Sequence, residues 1–280
     1  MRFYDVNRAH FDGLYTAADV YAAHELWNRS RRAASVIRHL RPADGSILEI
    51  GCGDGVVTRM LGKQAPPHIQ SITALDVSAV GIDRARASTD DSRIHYVCSG
   101  VESFGGGPFD FVCMFDVLEH LDDPLATLRR IAALLPPRGR VLLSTPNRLR
   151  TANRIRAWRR RPPALMDPTH AREFSAPELD AMLREAGFRP VRHWGIVFFV
   201  TDWLLAFSNN ESSRPVEPVA VSAGPVAAAA PRSRRSRWGR WLLARLQRAL
   251  SSVEQSRTNY FAGHLVPHLA NGIYVLAEKR

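Results

Sequence analysis

The 280 residues are 45% apolar and 23% charged, a globular balance that excludes wholesale disorder. Three cysteines (Cys52, Cys98, Cys113), none in CxxC spacing, cannot form a disulfide framework and favour a reducing compartment; the opening MRFYDVNRAHFDG carries no basic-then-apolar secretory signal. The longest apolar stretch, 196–207, is broken by Thr201 and Asp202 and falls short of the roughly 20 residues of a membrane span, so a cytoplasmic protein is expected, with a net charge of +11.

Residues 1–45 read as a helical lead-in, because Leu26, Trp27, Ala33, Ala34, Ile37 and Leu40 recur at near-helical spacing before Arg41-Pro42-Ala43-Asp44-Gly45 breaks the run. A core over 46–207 then alternates. Short apolar strands are expected at 46–50, 71–77, 94–98, 109–115 and 140–144, with helices at 56–61, 80–87 and 125–135. Strands separated by helices imply parallel crossovers and a doubly wound α/β sheet. Ser175-Ala176-Pro177-Glu178 has the form of a capping box, and its helix closes at Gly187. A sixth strand over 191–200 and a last one over 272–277 complete a seven-stranded, mostly parallel sheet. Between them, 208–236 is rich in Ser, Pro, Ala and Val without a period and reads as a flexible linker. The following insertion, 237–271, starts with a helix that sets Trp238, Trp241, Leu242 and Leu246 against Arg237, Arg240 and Arg248.

The most informative segment is Ile47-Leu48-Glu49-Ile50-Gly51-Cys52-Gly53-Asp54-Gly55. A glycine-rich turn directly after a first strand lets the backbone approach a ligand where a Cβ would collide, and Asp76 closes the second strand about 20 residues on, where a carboxylate can accept both ribose hydroxyls. A dinucleotide fingerprint would need glycine at position 56, which is Val56, and no GKS or GKT follows for a P-loop. A nucleoside carrying an amino-acid tail fits better.

Here the chain resembles the class I S-adenosylmethionine-dependent methyltransferases: EIGCGDG at 49–55 looks like their motif I, LDVS at 75–78 like motif II, and 109–116 like the strand on the far side of the cofactor. Asp116-Val117-Leu118-Glu119-His120-Leu121-Asp122-Asp123-Pro124 and Ser144-Thr145-Pro146-Asn147-Arg148 look most like the O-methyltransferases of ubiquinone biosynthesis. The resemblance covers roughly 28–200 plus the last strand. It implies S-adenosylmethionine as cofactor, with Glu49, Gly51, Gly53 and Gly55 around the methionine part, Asp76 on the ribose, and Phe115 beside the adenine or sulfonium. Arg31 stands at the spacing of an upstream family arginine that contacts the cofactor carboxylate; Arg32 is the alternative one residue on.

Methyl transfer from a sulfonium is an in-line displacement whose leaving group needs no acid, so the protein must align the acceptor and remove its proton. Asp116, Glu119 and His120 follow the fourth strand, and a helical turn there would bring all three to one side as hard oxygen and imidazole ligands. His170, after the fifth strand, is a second candidate base or a further ligand. Two resembling families, the ubiquinone-pathway enzymes and the small-RNA 2′-O-methyltransferases, bind a divalent metal through ExxEH at this place, which implies a cation such as magnesium. This chain has Asp116 where their first glutamate stands.

The basic charge is arginine, with lysine only at Lys63 and Lys279, and seven arginines fall within 148–161 and seven within 232–248. Such clusters suit phosphate groups or an anionic membrane surface. Without glycine or aromatic interleaving they are a weak nucleic-acid signal. The expected activity is O-methylation of a small phenolic, quinol-like or lipid-linked hydroxyl, at the cytoplasmic face of a membrane or in solution. An RNA 2′-O-methyltransferase and a non-catalytic, membrane-associated cofactor-binding protein are the rival readings.

Overall fold

The computed structural model describes residues 10–15, 23–167, 169–196 and 270–280. The expected linker lies outside the described residues, as does the helical insertion up to residue 269. After a helical turn at 10–15 come α1 (Ala23–His39), β1 (Ser46–Ile50), α2 (Val56–Gln64), β2 (Ser71–Asp76), α3 (Ala79–Ala87), β3 (Ile94–Cys98) and β4 (Phe111–Phe115). A 3-10 turn (Leu118–His120), α4 (Pro124–Leu134), β5 (Arg140–Pro146), α5 (Thr151–Trp158), α6 (Ala176–Glu185), β6 (Phe188–Ile196) and β7 (Gly272–Lys279) follow.

The strands form the expected seven-stranded sheet, in the order β3-β2-β1-β4-β5-β7-β6. β1 to β5 run parallel, and β7 is antiparallel to both β5 and β6. Side chains alternate across each strand, so every strand feeds two cores. Leu48, Ile50, Val112, Met114, Val141 and Leu143 face α4 and α6. Ile47, Phe111, Cys113, Phe115 and Leu142 face α1 and α2. The strand starts are locked by Asp110, whose Oδ2 accepts hydrogen bonds from Gly45 N at 2.8 Å, Ser46 N at 2.9 Å and Ser46 Oγ at 2.8 Å.

Helix ends follow their local chemistry. Asp123 caps α4 by accepting from Ala126 N at 2.9 Å, and Ser175 N donates to Glu178 Oε2 at 2.8 Å, the reach-back of the expected capping box. Gly187 stands just past α6 at φ +92, as expected for a C′ glycine. The sixth strand starts earlier than expected: Phe188 is fully buried directly after Gly187, and a register shift between Pro190 and Arg192 lets the strand continue past the proline.

α5 was not expected, because it has no apolar stripe. Polar anchors hold it instead: Asn153 Nδ2 donates to the carbonyls of Arg148 (2.9 Å) and Ala164 (3.1 Å), and Arg150 at its start pairs with the buried Glu173. The arginine cluster of 148–161 is therefore divided in its work. Arg148 and Arg150 form ion pairs with Glu178 and Glu173, whereas Arg154, Arg159, Arg160 and Arg161 are exposed around Trp158, itself 82% exposed.

Candidate active site

The strand order reverses between β1 and β4, and a crevice opens outside the carboxyl ends of the strands at that switch point. It holds a cavity of about 440 Å³. Gly51 and Cys52 of the glycine turn after β1 form its floor; in that turn Gly51 (φ +75) and Gly53 (φ +57) adopt left-handed backbone, and any Cβ would run into Val117 or Tyr15. Asp76 borders the cavity and ties its two loops together, accepting from Gly53 N at 2.7 Å and Ser78 N at 2.8 Å. Burial pushes the Asp76 carboxyl above its usual range, against those two backbone N–H groups. From outside, the 10–15 segment covers the cavity with Phe11, Leu14 and Tyr15, and Asp12 accepts from Ser78 Oγ at 2.5 Å.

The wall opposite Asp76 comes from α1. Asn28, Arg29 and Arg32 line the cavity, and Arg31 does not. Arg32 forms an ion pair with Asp116 and lies 5.6 Å over the Phe115 ring, so of the two expected alternatives the helix phase presents Arg32. Glu49 lies behind the turn on the face that α1 and α2 cover. It is 2% exposed and accepts from Thr58 Oγ1 at 2.7 Å. Burial raises its pKa from the ordinary 4.5 to about 7, with Thr58, Arg29 and Arg32 opposing.

The edge beyond β4 departs from the expected helical turn. Asp116 takes left-handed backbone (φ +54) and the 3-10 turn starts only at Leu118, so Asp116 does not share a helix face with Glu119 and His120. Its carboxylate instead pairs with Arg32 and accepts from Ser144 Oγ at 2.8 Å. The groups that converge are Glu119, His120 and His170, whose ligand atoms lie within 4.8 Å of one another. As a ligand set this replaces the expected trio: His170 is in it and Asp116 is outside.

Within that cluster each group has a distinct setting. His120 borders the cavity, meets Phe11 and His170 edge to face (ring centroids 5.4 and 4.9 Å), and places Nδ1 3.1 Å from the Thr169 carbonyl. Burial holds its imidazole below the ordinary pKa, the Thr169 carbonyl opposing and the nearby His170 adding to the effect. Glu119 is fully buried; Oε2 accepts from Thr145 Oγ1 at 3.1 Å, while Oε1 has no hydrogen-bond partner among the described residues. Burial, then the charge of Asp116, pushes its carboxyl well up. His170 is buried with Nδ1 3.2 Å from Glu173 Oε1, and Glu173 is held in turn by Arg150 and the Met166 N–H.

A methyltransferase-domain family model matches residues 24–193, which takes in α1, the glycine turn, the histidine cluster and most of β6. The chain belongs to this methyltransferase family. The methyltransferase is 32% identical over 167 residues to a ubiquinone biosynthesis O-methyltransferase of Xanthomonas axonopodis pv. citri, covering 56% of this chain and 68% of that one. It is 30% identical over 195 residues to the protein of the same name from Ruegeria pomeroyi, covering 62% and 72%. Among solved structures, the Haloferax volcanii putative methyltransferase in complex with its Trm112 activator shares the fold at TM-score 0.57 and 16% identity, covering 96% of this chain and 97% of that one. Magnesium protoporphyrin IX methyltransferase from Synechocystis, with S-adenosylmethionine bound, shares it at TM-score 0.50 and 14% identity, covering 69% and 89%. By its family and its curated relatives, the chain is an S-adenosylmethionine-dependent methyltransferase.

Of the residues expected from sequence, Gly51, Asp76, Phe115, Asp116 and His120 border the cavity of the methyltransferase, while Glu49, Gly53, Gly55, Glu119 and His170 do not line it. Asn28, Arg29, Tyr15 and Leu14 were missed. The two α1 residues sit in the run Asn28-Arg29-Ser30-Arg31-Arg32, where choosing among them needs the helix phase; the 10–15 segment bears no local signal of its destination. Glu49 makes a testable contribution. Its pKa is raised on folding, so its stability contribution is complete below pH 4.5 and is lost as pH rises to about 7. In cofactor-free protein, wild type should lose about 3 kcal/mol relative to Glu49→Gln across that window, read by urea denaturation at several pH values.

Proposed function

We propose that the methyltransferase moves the methyl group of S-adenosylmethionine to a hydroxyl oxygen of a small phenolic, quinol-like or lipid-linked acceptor, with His120 taking the proton. The observation that carries this reading is the state of His120. A proton on Nδ1 donated to the Thr169 carbonyl leaves the basic lone pair on Nε2, and the lowered pKa keeps the ring neutral at pH 7. In this reading Asp76 takes the ribose hydroxyls, the glycine turn passes the methionine chain, and Arg29 and Arg32, which line the cavity from α1, face its carboxylate. The acceptor oxygen attacks the methyl carbon as the carbon–sulfur bond breaks, its proton goes to His120, and a neutral thioether leaves. The likeness to proteins named ubiquinone biosynthesis O-methyltransferase supports oxygen as the acceptor atom. With isotopically labelled cofactor and host lipid and metabolite extracts, His120→Ala should lower transfer by about 10²–10⁴-fold while cofactor affinity stays within a few-fold. Undiminished transfer removes His120 from the chemistry.

Glu119, His120 and His170 also fit a divalent cation. The buried Glu119 Oε1 has no hydrogen-bond partner among the described residues, and Glu173 orients His170 as carboxylates commonly orient metal-bound histidines. A cation there supplies Lewis acidity to the acceptor hydroxyl, the same service as a base. With two imidazoles in the set, manganese or zinc suits it better than magnesium. Titration of the metal-free protein with cobalt(II) should give a visible absorption band that His170→Ala abolishes; no band in wild type rejects the cation.

No helix among the described residues is long and apolar enough to cross a membrane. A peripheral contact is supported instead by Trp158 and the exposed arginines around it, an amphipathic surface that suits an anionic bilayer. The corresponding expectation for Trp238 and Trp241 lies outside the described residues. Wild type should float with phosphatidylglycerol vesicles and not with phosphatidylcholine ones, and Trp158→Ala should weaken flotation several-fold.

A further inference from the structure

The 10–15 segment touches both ends of the cavity. Tyr15 is buried against the glycines of the cofactor side: a Cβ on Gly53 would run into its ring, and one on Gly81 would crowd it. Asp12 accepts from Ser78 Oγ at 2.5 Å, and Ser78 Oγ in turn accepts from Gly81 N at 3.0 Å. Ser78 N donates to Asp76 at 2.8 Å. The segment is thus fastened to the two loops that Asp76 ties together.

Phe11, one residue before Asp12, reaches the opposite end. Its ring meets His120 edge to face, with centroids 5.4 Å apart and planes at 84°. His170 meets the same imidazole at 4.9 Å and 74°, and the Thr169 carbonyl lies 3.1 Å from Nδ1. A hydrogen bond at Nδ1 holds one corner of an imidazole and lets the ring swing about it. Two rings set nearly perpendicular to it fix its plane, and with the plane the direction of Nε2. Thr169 and His170 come from the loop between α5 and α6, whereas Phe11 comes from the cover over the cofactor side. Phe11 is half-buried and belongs to none of the hydrophobic clusters on the sheet, so its replacement can be read apart from folding.

We propose that Phe11 is a positioning residue for methyl transfer: its ring clamps His120, and the contacts of Asp12 and Tyr15 link that clamp to the loops on which the cofactor sits. The inference rests on the reading of His120 as the acceptor's base and adds what holds that base in line. Ribose hydroxyls on Asp76 steady the loop that carries Ser78, and Asp12 passes this ordering to Phe11. A bound cofactor can bias the segment only through such a contact, one that is better satisfied in one arrangement than in another. The base is then fixed in direction when the methyl donor is in place, which is when alignment counts.

Phe11→Leu keeps an apolar side chain without a ring, and Phe11→Tyr keeps the ring. The full chain is assayed for transfer of labelled methyl into host lipid and metabolite extract at saturating S-adenosylmethionine. Phe11→Leu should lower the rate by about 3–10-fold with an unchanged thermal midpoint, and Phe11→Tyr should stay within about 2-fold of wild type. In a His120→Ala background Phe11→Leu should have no further effect, because the two side chains act as one unit. A second readout needs no acceptor. In protein with isotopically labelled histidine and bound S-adenosylhomocysteine, the nuclear magnetic resonance signals of the His120 ring are those missing from His120→Ala. They should show the proton fixed on Nδ1 in wild type and Phe11→Tyr, and exchange between both ring nitrogens in Phe11→Leu and, more weakly, in Asp12→Ala. Transfer that His120→Ala leaves undiminished overturns the base reading, and the positioning role with it. A loss in His120→Ala with Phe11→Leu at the wild-type rate overturns the positioning role alone. So does a Phe11→Leu loss that more cofactor restores, that Phe11→Tyr shares, or that multiplies with the loss from His120→Ala. Ring signals unmoved by Phe11→Leu overturn the clamp, and signals unmoved by Asp12→Ala overturn its link to the cofactor.

Discussion

One carboxylate, that of Asp76, organises the crevice. It accepts the Gly53 N–H of the turn after β1 and the Ser78 N–H at the start of α3, so two loops that would otherwise be independent are fixed to the end of β2. Those hydrogen bonds keep the carboxylate in place although burial disfavours its charge. The left-handed glycines depend on this anchoring, and so does the close approach of Tyr15, which reaches over Gly53 only because there is no Cβ in its path. The α1 side of the cavity then needs only the right helix phase to complete the enclosure.

The catalytic edge shows a second constraint, the cost of burying polar groups. Ser144, Asp116, Arg32 and Tyr274 come from β5, the loop after β4, α1 and β7, yet they form one connected network. Each would be expensive alone in this position; together they match most of one another's donors and acceptors, with Arg32 Nε left without a partner among the described residues. The left-handed backbone at Asp116 turns its carboxylate toward Arg32 and lets the chain restart as a 3-10 turn that presents Glu119 and His120 to His170. The left-handed backbone and the part-buried ion pair thus belong to the same arrangement.

What could be read from the sequence follows from how far each feature depends on its neighbours in the chain. The first five strands, the capping box, Gly187 as a helix terminator and the glycine turn with Asp76 are local or depend on one regular crossover, and they stand close to where the pattern put them. Features set by tertiary contact were harder. The trio Asp116, Glu119 and His120 assumed helical spacing, and one positive φ undid it by moving Asp116 to Arg32 and leaving the third place to His170. α5 escaped because asparagine and arginine anchors, rather than an apolar stripe, hold it. Tyr274 reads in sequence as one apolar residue of a strand; only its register opposite Ser144 reveals a polar role.

The charge state of the catalytic edge has a consequence for methyl transfer itself. The reaction begins from a sulfonium cation and ends at a neutral thioether, so positive charge leaves sulfur as the new bond forms. A strongly anionic edge would hold the starting cation more firmly than the transition state and raise the barrier. The protein avoids this although two carboxyl groups stand there. Asp116 is matched by Arg32, and burial and the charge of Asp116 push the Glu119 carboxyl well above its usual range, which disfavours its charged form. His120 is neutral as well, for burial lowers its pKa. The edge therefore carries little net charge toward a sulfonium bound as proposed, and in that proposal His120 becomes cationic only as the acceptor gives up its proton.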